Sequence, residues 1–497
     1  MHLLLQLSLA ASALASAIPA KRLSVANSTI GPYVAPGTEY LSLPDPEFPI
    51  KFTQRHSSFA NPGYISAVQP LNVQDLSTMV KSFNKKNLRY MATGGGHGIS
   101  TGFARVQNAI DIDLSKFNTI DLDVEKNLVT VGAANVLADF ADSYTGPERK
   151  SVTTGNSPCV SAIGATLGAG VGPMQGLHGL MIDSLRSVEM VTPGGDVVTA
   201  SQTENTDLFW AVRGAGAHFG IVTRATYAVY DATNRGEHVN ADFRFDSDAQ
   251  LGLLNLLKDW DSDEVFPREM AVSVTFSYDH VAKMPTISVS AYYFGSYEAA
   301  RPYLQKLVDL KPIHWRNETL GWNGMTQAAG FGQTFAKACV RGRYTTHFSA
   351  GIRQTDPDTW ASVLAKFTDW SAARPWFKGS IILQRYNAKV TQQVPAEDRG
   401  AYPGEILGRW STYDGPNHDV EVREFYQPLR DAIYRTSGFA SPQVYVNYAH
   451  GDESPEAWYG PSLSRLRLLK QKYDPQNRFG PGFPVSGKPY IIRGQPY

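Results

Sequence analysis

Apolar and polar positions follow two different periods over roughly the first half of this chain, so that strand-like and helix-like runs alternate. Val73–Lys85 has the spacing of an amphipathic helix, whereas Asn108–Leu114 and Leu128–Gly132 read as strands. Asn135–Tyr144 reads as another helix, with Asn135 as its N-cap residue. This mixture predicts a first domain that contains both sheets and helices.

The turn signal Pro193-Gly194-Gly195 separates two strand-like runs, Ser187–Thr192 and Asp196–Ala200, and so predicts a β-hairpin. From about Arg235 the pattern changes to aromatic-rich strands separated by amphipathic segments. The strand-like runs are Phe243–Phe245, Met270–Tyr278, Thr286–Tyr293, His347–Ile352 and Ile381–Tyr386. The amphipathic segments are Leu251–Trp260, Glu298–Leu310 and Pro357–Trp370. We expect an antiparallel sheet with helices on one face, and a last helix, Ser462–Lys472, that returns to the first domain.

The most informative motif is Gly94-Gly95-Gly96-His97-Gly98, which follows a strand-like run at Asn87–Met91. Three consecutive glycines carry no Cβ atoms, so their N–H groups can point into one concavity that suits an anionic phosphate. His97 follows at the edge of this concavity, where a neutral ring nitrogen could act as a nucleophile or ligand. Most glycine runs of this kind are ordinary tight turns. A second motif makes a ligand-binding loop the better interpretation here.

The second motif, Thr154–Gly172, alternates glycine with small apolar residues. Its backbone can therefore lie flat against a large planar or charged ligand. The motif contains no strict G-x-G-x-x-G and no P-loop lysine, so it supports neither a Rossmann fingerprint nor a Walker loop. The regular placing of Val, Ile and Leu also argues against a flexible linker.

Together these motifs resemble the vanillyl-alcohol-oxidase/PCMH-type flavoproteins, and the C-terminal motifs resemble their berberine-bridge-enzyme-like branch. The resemblance spans about residues 60–490. It is carried by the two loops above and by further motifs, namely Gly179-Leu180 with Asp183, Asp207–Gly216, Phe219–Thr223, Tyr445-Val446-Asn447-Tyr448 and Lys472–Phe479.

The resemblance implies an α+β fold with a PCMH-type FAD-binding domain of two subdomains and a substrate domain whose antiparallel sheet is flanked by helices. We expect the FAD-binding domain at 60–233, the substrate domain at 234–444 and a C-terminal segment at 445–497 that returns to the FAD domain. The residues expected to contact FAD are His97, Thr93, Gly94, Gly95, Gly96, Gly98, Gly155, Ser157, Val160, Gly164, Ile221 and Val222.

His97 matches the histidine that members of this family link to the 8α-carbon of the flavin. Many members form a second link through a cysteine at the position of Ser157, and serine cannot form that thioether. We therefore expect a single link through His97, with Cys159 as a small buried apolar residue. Val160 matches the position that controls access of O₂ to the flavin, where a small residue suggests an oxidase; it is equally well explained as a strand residue.

Tyr448 matches a tyrosine that family members hold over the flavin, which implies a catalytic base for the substrate proton. An aromatic core residue is an equally good explanation of it. Family members often add a polar group from the substrate-domain sheet, and Tyr386, Glu405 and Arg409 lie in that region. Tyr402-Pro403-Gly404-Glu405 departs from the usual Tyr-Pro-His-Arg pattern, so the partner of Tyr448 stays unassigned.

Composition and targeting signals narrow the setting. The formal net charge is +0, which favours neither nucleic acid nor a membrane surface as a partner. Residues 1–17 read as a signal peptide that ends in Ala15-Ser16-Ala17, and the sequons at Asn27 and Asn317 would permit glycosylation of a secreted protein.

The chain has two cysteines, Cys159 and Cys339, which predict no disulfide framework. His178 and His450 lack the spacing of metal ligands, so we expect no metal.

The sequence therefore predicts a secreted FAD-linked oxidase of a small organic substrate, a secondary metabolite, with O₂ as electron acceptor and H₂O₂ as product. One alternative is a secreted oligosaccharide oxidase of the same fold. The other is a flavin-binding or cell-wall protein without catalytic turnover. The sequence leaves open the substrate, the bond that is oxidised and the oligomeric state.

Overall fold

The computed structural model describes residues 30–52, 54–142, 150–395, 398–402, 411–414 and 418–485. The predicted leader, residues 1–17, lies outside these ranges. Three main sheets and the helices packed on them give the α+β architecture that the sequence predicts. None of the helices in the described ranges has the length and apolarity needed to cross a membrane.

The first sheet has the strand order β1-β2-β4-β3, in which β4 pairs in parallel with both β2 and β3. Its strands are β1 (Glu39–Ser42), β2 (Gly63–Gln69), β3 (Arg89–Thr93) and β4 (Gln107–Asp113), and its helices are α1 (Phe48–Lys51) and α2 (Val73–Lys85). The bounds of α2 agree with the sequence pattern, because the side chain of Asn72 caps its N-terminus and its apolar face is fully buried.

The second sheet is antiparallel, with the order β5-β6-β10-β8-β9. Its strands are β5 (Ile120–Asp123), β6 (Leu128–Gly132), β8 (Leu185–Val191), β9 (Val197–Ser201) and β10 (Ile221–Ala228), and β7 (Lys150–Ser151) pairs separately with β11 (Tyr230–Asp231). Its helices are α3 (Leu137–Asp142), α4 (Ala162–Leu167), α5 (Gln175–His178), α6 (Met181–Ser184) and α7 (Thr206–Ala215). The predicted hairpin is confirmed as the antiparallel pair β8 and β9.

The predicted N-cap of α3 is wrong. The helix begins at Leu137, so Asn135 lies one residue before the cap position. The side chain of Asn135 instead donates hydrogen bonds to the carbonyls of Thr119 and Gly132, at 2.9 and 3.0 Å. It thereby joins two turns of the second sheet.

The third sheet has seven strands in the order β15-β12-β14-β13-β17-β18-β16, all antiparallel to their neighbours. Its strands are β12 (His238–Phe245), β13 (Met270–Asp279), β14 (Met284–Tyr293), β15 (His314–Leu320), β16 (Thr345–Phe348), β17 (Ser380–Tyr386) and β18 (Ser411–Asp414). Its helices are α8 (Gln250–Asp259), α9 (Tyr297–Val308), α10 (Trp322–Ala328), α11 (Gln333–Ala338), α12 (Pro357–Ala372), α13 (Lys389–Gln393) and α14 (Asp419–Thr436).

The two faces of the third sheet differ in chemistry. One face is apolar and forms a single core with α8, α9, α12 and α14, which confirms the predicted sheet with helices on one face. On the other face, the register places Asp242, Ser290, Ser273 and Gln384 in one cross-strand row. This polar row cannot belong to the apolar core, so it faces away from it.

The C-terminal helices α15 (Pro455–Tyr459) and α16 (Leu463–Tyr473) pack back against α7, in the core of the first two sheets. Lys470 is buried there and donates hydrogen bonds to the carboxylate of Asp474 and to the carbonyl of His218, at 2.6 and 3.0 Å. This buried ion pair fixes the returning segment against the first two sheets.

Candidate active site

The first glycine loop begins where β3 ends. The hydroxyl of Thr93 donates a 2.6 Å hydrogen bond to the buried carboxylate of Asp111 on the neighbouring strand β4. A Cβ atom on Gly95 would lie 2.8 Å from the amide nitrogen of Ser161, and one on Gly94 would lie 3.1 Å from the Ser161 Oγ. The first loop therefore needs glycine in order to approach the second loop this closely.

The second loop leads into α4. The hydroxyl of Ser161 caps this helix by accepting the N–H of Gly164 at 3.1 Å. Val160 packs against the core of the first two sheets, and its carbonyl accepts the N–H of Leu137. Ser157 is half-buried just before it. These contacts bring the predicted residues of the second loop beside the first loop.

His97 is a neutral imidazole held between the two loops. Its ring stacks on that of His56, with centroids 4.6 Å apart and planes 15° from parallel. The pKa of His97 is lowered to about 3, chiefly by burial and also by the basic groups of His56, Arg341 and Arg55. The backbone of Cys159 opposes this lowering. In a neutral imidazole one ring nitrogen carries a lone pair.

The prediction for the cysteines is wrong. Cys159 is not an isolated apolar residue, because it forms a disulfide with Cys339, with Cα atoms 5.4 Å apart. This bond joins the second loop to the segment between α11 and β16. No free thiol is left in the described chain, and the sequence contains no further cysteine. A second, thioether link to a flavin therefore has no sulfur from which to form.

Tyr448 lies half-buried in a single helical turn, Val446–Tyr448, beside the buried side chain of Tyr445. The two rings meet edge to face at 4.7 Å, and the ring of His347 lies 6.5 Å from that of Tyr448. The phenol oxygen of Tyr445 accepts the N–H groups of Gly170 and Val171, both at 3.1 Å, and it is therefore fixed to the second loop.

Asn447 completes this attachment. Its side-chain amide donates to the Tyr445 oxygen and to the carbonyl of Ala165, both at 2.8 Å. A Cβ atom on Gly168 would collide with the Asn447 Oδ1, so only glycine fits there. Tyr445 and Asn447 are therefore structural residues. The ring of Tyr448, in contrast, contacts the rings of neighbouring residues.

An aromatic cluster separates the second loop from the polar face of the third sheet. Among its members are Tyr292 and Tyr386 from the sheet, Val171 from the second loop, Leu177 from α5, and Tyr445, with Trp322 and Tyr448 packed against it. Tyr386 thus belongs to the cluster against which Tyr448 packs, whereas Glu405 and Arg409 lie outside the described residues.

The sheet residues Tyr292, Ser290, Ser273 and Gln384 are not among those predicted from the sequence. The sequence does contain a signal for them. Polar residues occupy every second position of β13 and β14, where a strand buried on both faces would be apolar. The polar row can be recognised only when the strand register is known, because it is contributed by strands that are far apart in sequence.

Ile221 and Val222 open strand β10, and both side chains are buried in the core. The carbonyl of Thr223 accepts the N–H of Ala133 at 3.0 Å, and a Cβ atom on Gly94 would lie 3.1 Å from the Ala133 carbonyl. The start of β10 therefore lies close to the glycine loops, where its backbone rather than its side chains is positioned for a ligand.

The site fits a dinucleotide such as FAD. The glycines of the first loop let it pack directly on Ser161 of the second loop, and the side chains of Arg55 and Arg341 bring positive charge beside His97. The hydroxyls of Thr153 and Thr154 are fully buried and have no hydrogen-bond partner within the described part of the chain. The described residues contain no group of three or more His, Cys, Asp or Glu side chains arranged to bind a metal ion.

Two sequence families match this chain, "FAD binding domain" at residues 65–201 and "Berberine and berberine like" at residues 444–481. The FAD-linked oxidoreductase tazL of Aspergillus terreus is 45% identical over 445 residues, which cover 88% of this chain and 90% of tazL. The chain belongs to the berberine-bridge-like FAD-linked oxidoreductases. The FAD-linked oxidoreductase fmqD of Aspergillus fumigatus is 35% identical over 464 residues, or 92% of each chain. This berberine-bridge-like protein is therefore an FAD-dependent enzyme.

Solved structures show the same fold. The wild-type berberine-bridge-like protein 1 of Physcomitrella patens superimposes with a TM-score of 0.77 and 20% identity, over 91% of this chain and 98% of that one. A xylooligosaccharide oxidase from Myceliophthora thermophila, in complex with xylobiose, gives 0.76 and 22%, over 92% and 98%. These likenesses confirm the PCMH-type flavoprotein fold.

Proposed function

We propose that this enzyme is a secreted oxidase that removes a hydride from a small organic molecule, with a secondary metabolite as substrate. O₂ is the proposed electron acceptor and H₂O₂ the product. When bound, FAD supplies the two-electron acceptor for this oxidation. The observation that carries the proposal is His97, a neutral imidazole at the junction of two glycine loops that belong to an FAD-binding domain.

We infer that His97 holds the flavin through one covalent bond. A nucleophilic nitrogen requires the unprotonated ring, which burial and the basic neighbours of His97 favour. Ser157 lacks a sulfur atom, and Cys159 is engaged in a disulfide. Both facts support a single histidyl link rather than a double one.

The proposed base is Tyr448, which takes the proton of the substrate hydroxyl. It packs against the aromatic cluster that includes Tyr386 and Tyr292, at the boundary between the FAD-binding domain and the third sheet. Such an aromatic boundary suits a flat, apolar substrate. Val160, a small residue in the second loop, supports direct reaction with O₂.

The predicted alternative of an oligosaccharide oxidase shares this fold, as the xylooligosaccharide oxidase shows. The alternative of a non-catalytic binding protein is not retained, since the relatives of this chain are oxidoreductases.

Release of H₂O₂ over a substrate panel tests the proposal. The panel contains polycyclic phenols, benzylic alcohols and β-linked oligosaccharides, and the Tyr448→Phe variant serves as the control. We expect peroxide with an aromatic substrate and its loss in the variant. If peroxide formed only with oligosaccharides, the substrate would be a sugar and not a secondary metabolite. Turnover with a dye acceptor but not with O₂ would make the enzyme a dehydrogenase.

Secretion is tested separately. Expression from the chain's own leader in a filamentous fungus should place the protein in the medium, with an N-terminus that follows Ala17. Intracellular protein that retains residues 1–17 would exclude this part of the proposal.

A further inference from the structure

Strand β15 is the outermost strand on one side of the seven-stranded sheet, and its outer edge pairs with no strand in the described part of the chain. It carries Trp315 and Asn317, and Trp315 is 38% exposed. Ile313, just before the strand, is 62% exposed. An exposed edge with apolar side chains promotes edge-to-edge association, and proteins usually block such edges.

Three side chains of β15 that lie on one face of the strand are exposed. Trp315, Asn317 and Thr319 alternate along the strand and so share one face. They lie opposite Phe243, Ala241 and Val239 of β12. Asn317, Glu318 and Thr319 form an N-glycosylation sequon, and Asn317 and Thr319 are both exposed.

The opposite face of β15 holds the strand in place. Arg316 donates to the buried carboxylate of Asp242 at 3.3 Å, to Glu318 at 3.2 Å and to the carbonyl of Ala328 at 2.8 Å. The strand therefore cannot rotate to bury Asn317, because that rotation would break the buried ion pair with Asp242.

Trp315 is oriented to receive a sugar. Its ring is stacked on Phe243 with centroids 5.7 Å apart and planes 10° from parallel. Because Phe243 lies on the inner side, the second face of the indole points towards the open edge of the sheet. The apolar C–H face of a pyranose ring packs well on such an indole surface.

We infer that Asn317 carries an N-linked glycan whose first N-acetylglucosamine stacks on Trp315 and covers the free edge of β15. The inference rests on the secretory route of the proposed function. The glycan comes from a lipid-linked pyrophosphate donor: the bond from the sugar C1 to the pyrophosphate oxygen breaks, the bond from C1 to the Asn317 amide nitrogen forms, and that nitrogen loses one proton.

The experiment uses the full chain secreted from yeast under a heterologous leader, so that failure of its own leader does not affect the result. Mass spectrometry of peptides before and after peptide-N-glycosidase F should show a glycan on Asn317, converted to aspartate by the enzyme. Thr319→Ser keeps the sequon and should keep the glycan, whereas Thr319→Ala and Asn317→Gln should lose it. An unmodified Asn317 in the secreted protein overturns the inference.

Two further readouts test the roles of the edge and of Trp315. In light scattering, the glycosylated protein and Thr319→Ser should stay at one mass, whereas Thr319→Ala and Asn317→Gln should self-associate with increasing concentration. Complete deglycosylation should lower Tm by about 1–2 °C in the wild type but not in Trp315→Ala, and an endoglycosidase that leaves the first sugar should not lower it. An equal loss of Tm in the wild type and in Trp315→Ala would contradict the proposed stacking. Equal self-association of all variants would contradict the proposed protection of the edge.

Discussion

Cys159 and Cys339 are joined by a disulfide although 180 residues separate them in the sequence. The bond fixes the segment after α11 to the second glycine loop. The next residues continue this attachment: the ring of His56 bonds to the carbonyl of Val340 at 3.1 Å, and the N–H of Gly342 donates to the carbonyl of Arg55 at 2.8 Å. The third sheet is thereby tied to the surroundings of His97.

Loss of this disulfide should lower stability without loss of flavin. Crosslinking a loop of this length restricts the unfolded chain, so we expect Cys159→Ser/Cys339→Ser to lose about 2–5 kcal/mol of unfolding free energy. Thermal unfolding with and without a reductant measures the effect.

The double variant is its own control, since the reductant should lower the Tm of the wild type alone. Retention of covalent flavin in the double variant would show that neither sulfur attaches it. A wild-type Tm that does not respond to full reduction would contradict a stabilising bond.

Variants of Tyr448 and Tyr445 should distinguish an effect on catalysis from an effect on stability. Tyr448→Phe removes the proposed base and should lower kcat by about 10²–10⁴-fold with an unchanged Tm. Tyr445→Phe leaves the N–H groups of Gly170 and Val171 without their acceptor, at a cost of about 1–3 kcal/mol for each buried group, and should lower Tm. Steady-state kinetics and calorimetry on both variants are needed. A Tyr448→Phe enzyme with wild-type kcat would remove Tyr448 from the mechanism.

Asp111 should make stability depend on pH. Burial raises its pKa to about 7, against the opposing effects of the Thr93 hydrogen bond and the charge of Arg55, and Asp113 raises it further. The folded protein therefore binds this proton more tightly than the unfolded chain does. Its contribution is fully present below the ordinary aspartate pKa and is lost as the pH rises through about 7.

Asp111→Asn removes this titration. We expect the fall in Tm between pH 5 and pH 8 to be smaller in the variant than in the wild type, with Asp113→Asn as the neighbouring control. Tyr64, whose pKa is raised chiefly by burial, stays protonated throughout this range. The same fall in both proteins would show that Asp111 does not titrate there.

Local features of the fold could be predicted from the sequence. The apolar period and the Asn72 cap define α2, and the Pro193-Gly194-Gly195 turn defines the hairpin β8–β9. Both signals lie within a few residues of the element that they specify, so no distant part of the chain is needed to interpret them.

The disulfide and the polar row could not be predicted, because each depends on how distant segments pack. Cys159 meets Cys339 only after the third sheet has docked on the FAD side. Likewise, Ser273 and Gln384 become neighbours only through the pairing of β13 with β17. Asn135 was misassigned for a related reason, since a distant turn, at Thr119, competes for its side-chain amide.

Attachment of FAD through His97 alone can be tested by the fluorescence of the denatured protein. Purified wild type, His97→Ala and Ser157→Ala are denatured in acid, separated on a gel and viewed under ultraviolet light. We predict a fluorescent flavin band for the wild type and for Ser157→Ala, and none for His97→Ala. A fluorescent band that persists in His97→Ala, or a wild-type protein whose flavin is released on denaturation, would contradict attachment through His97 alone.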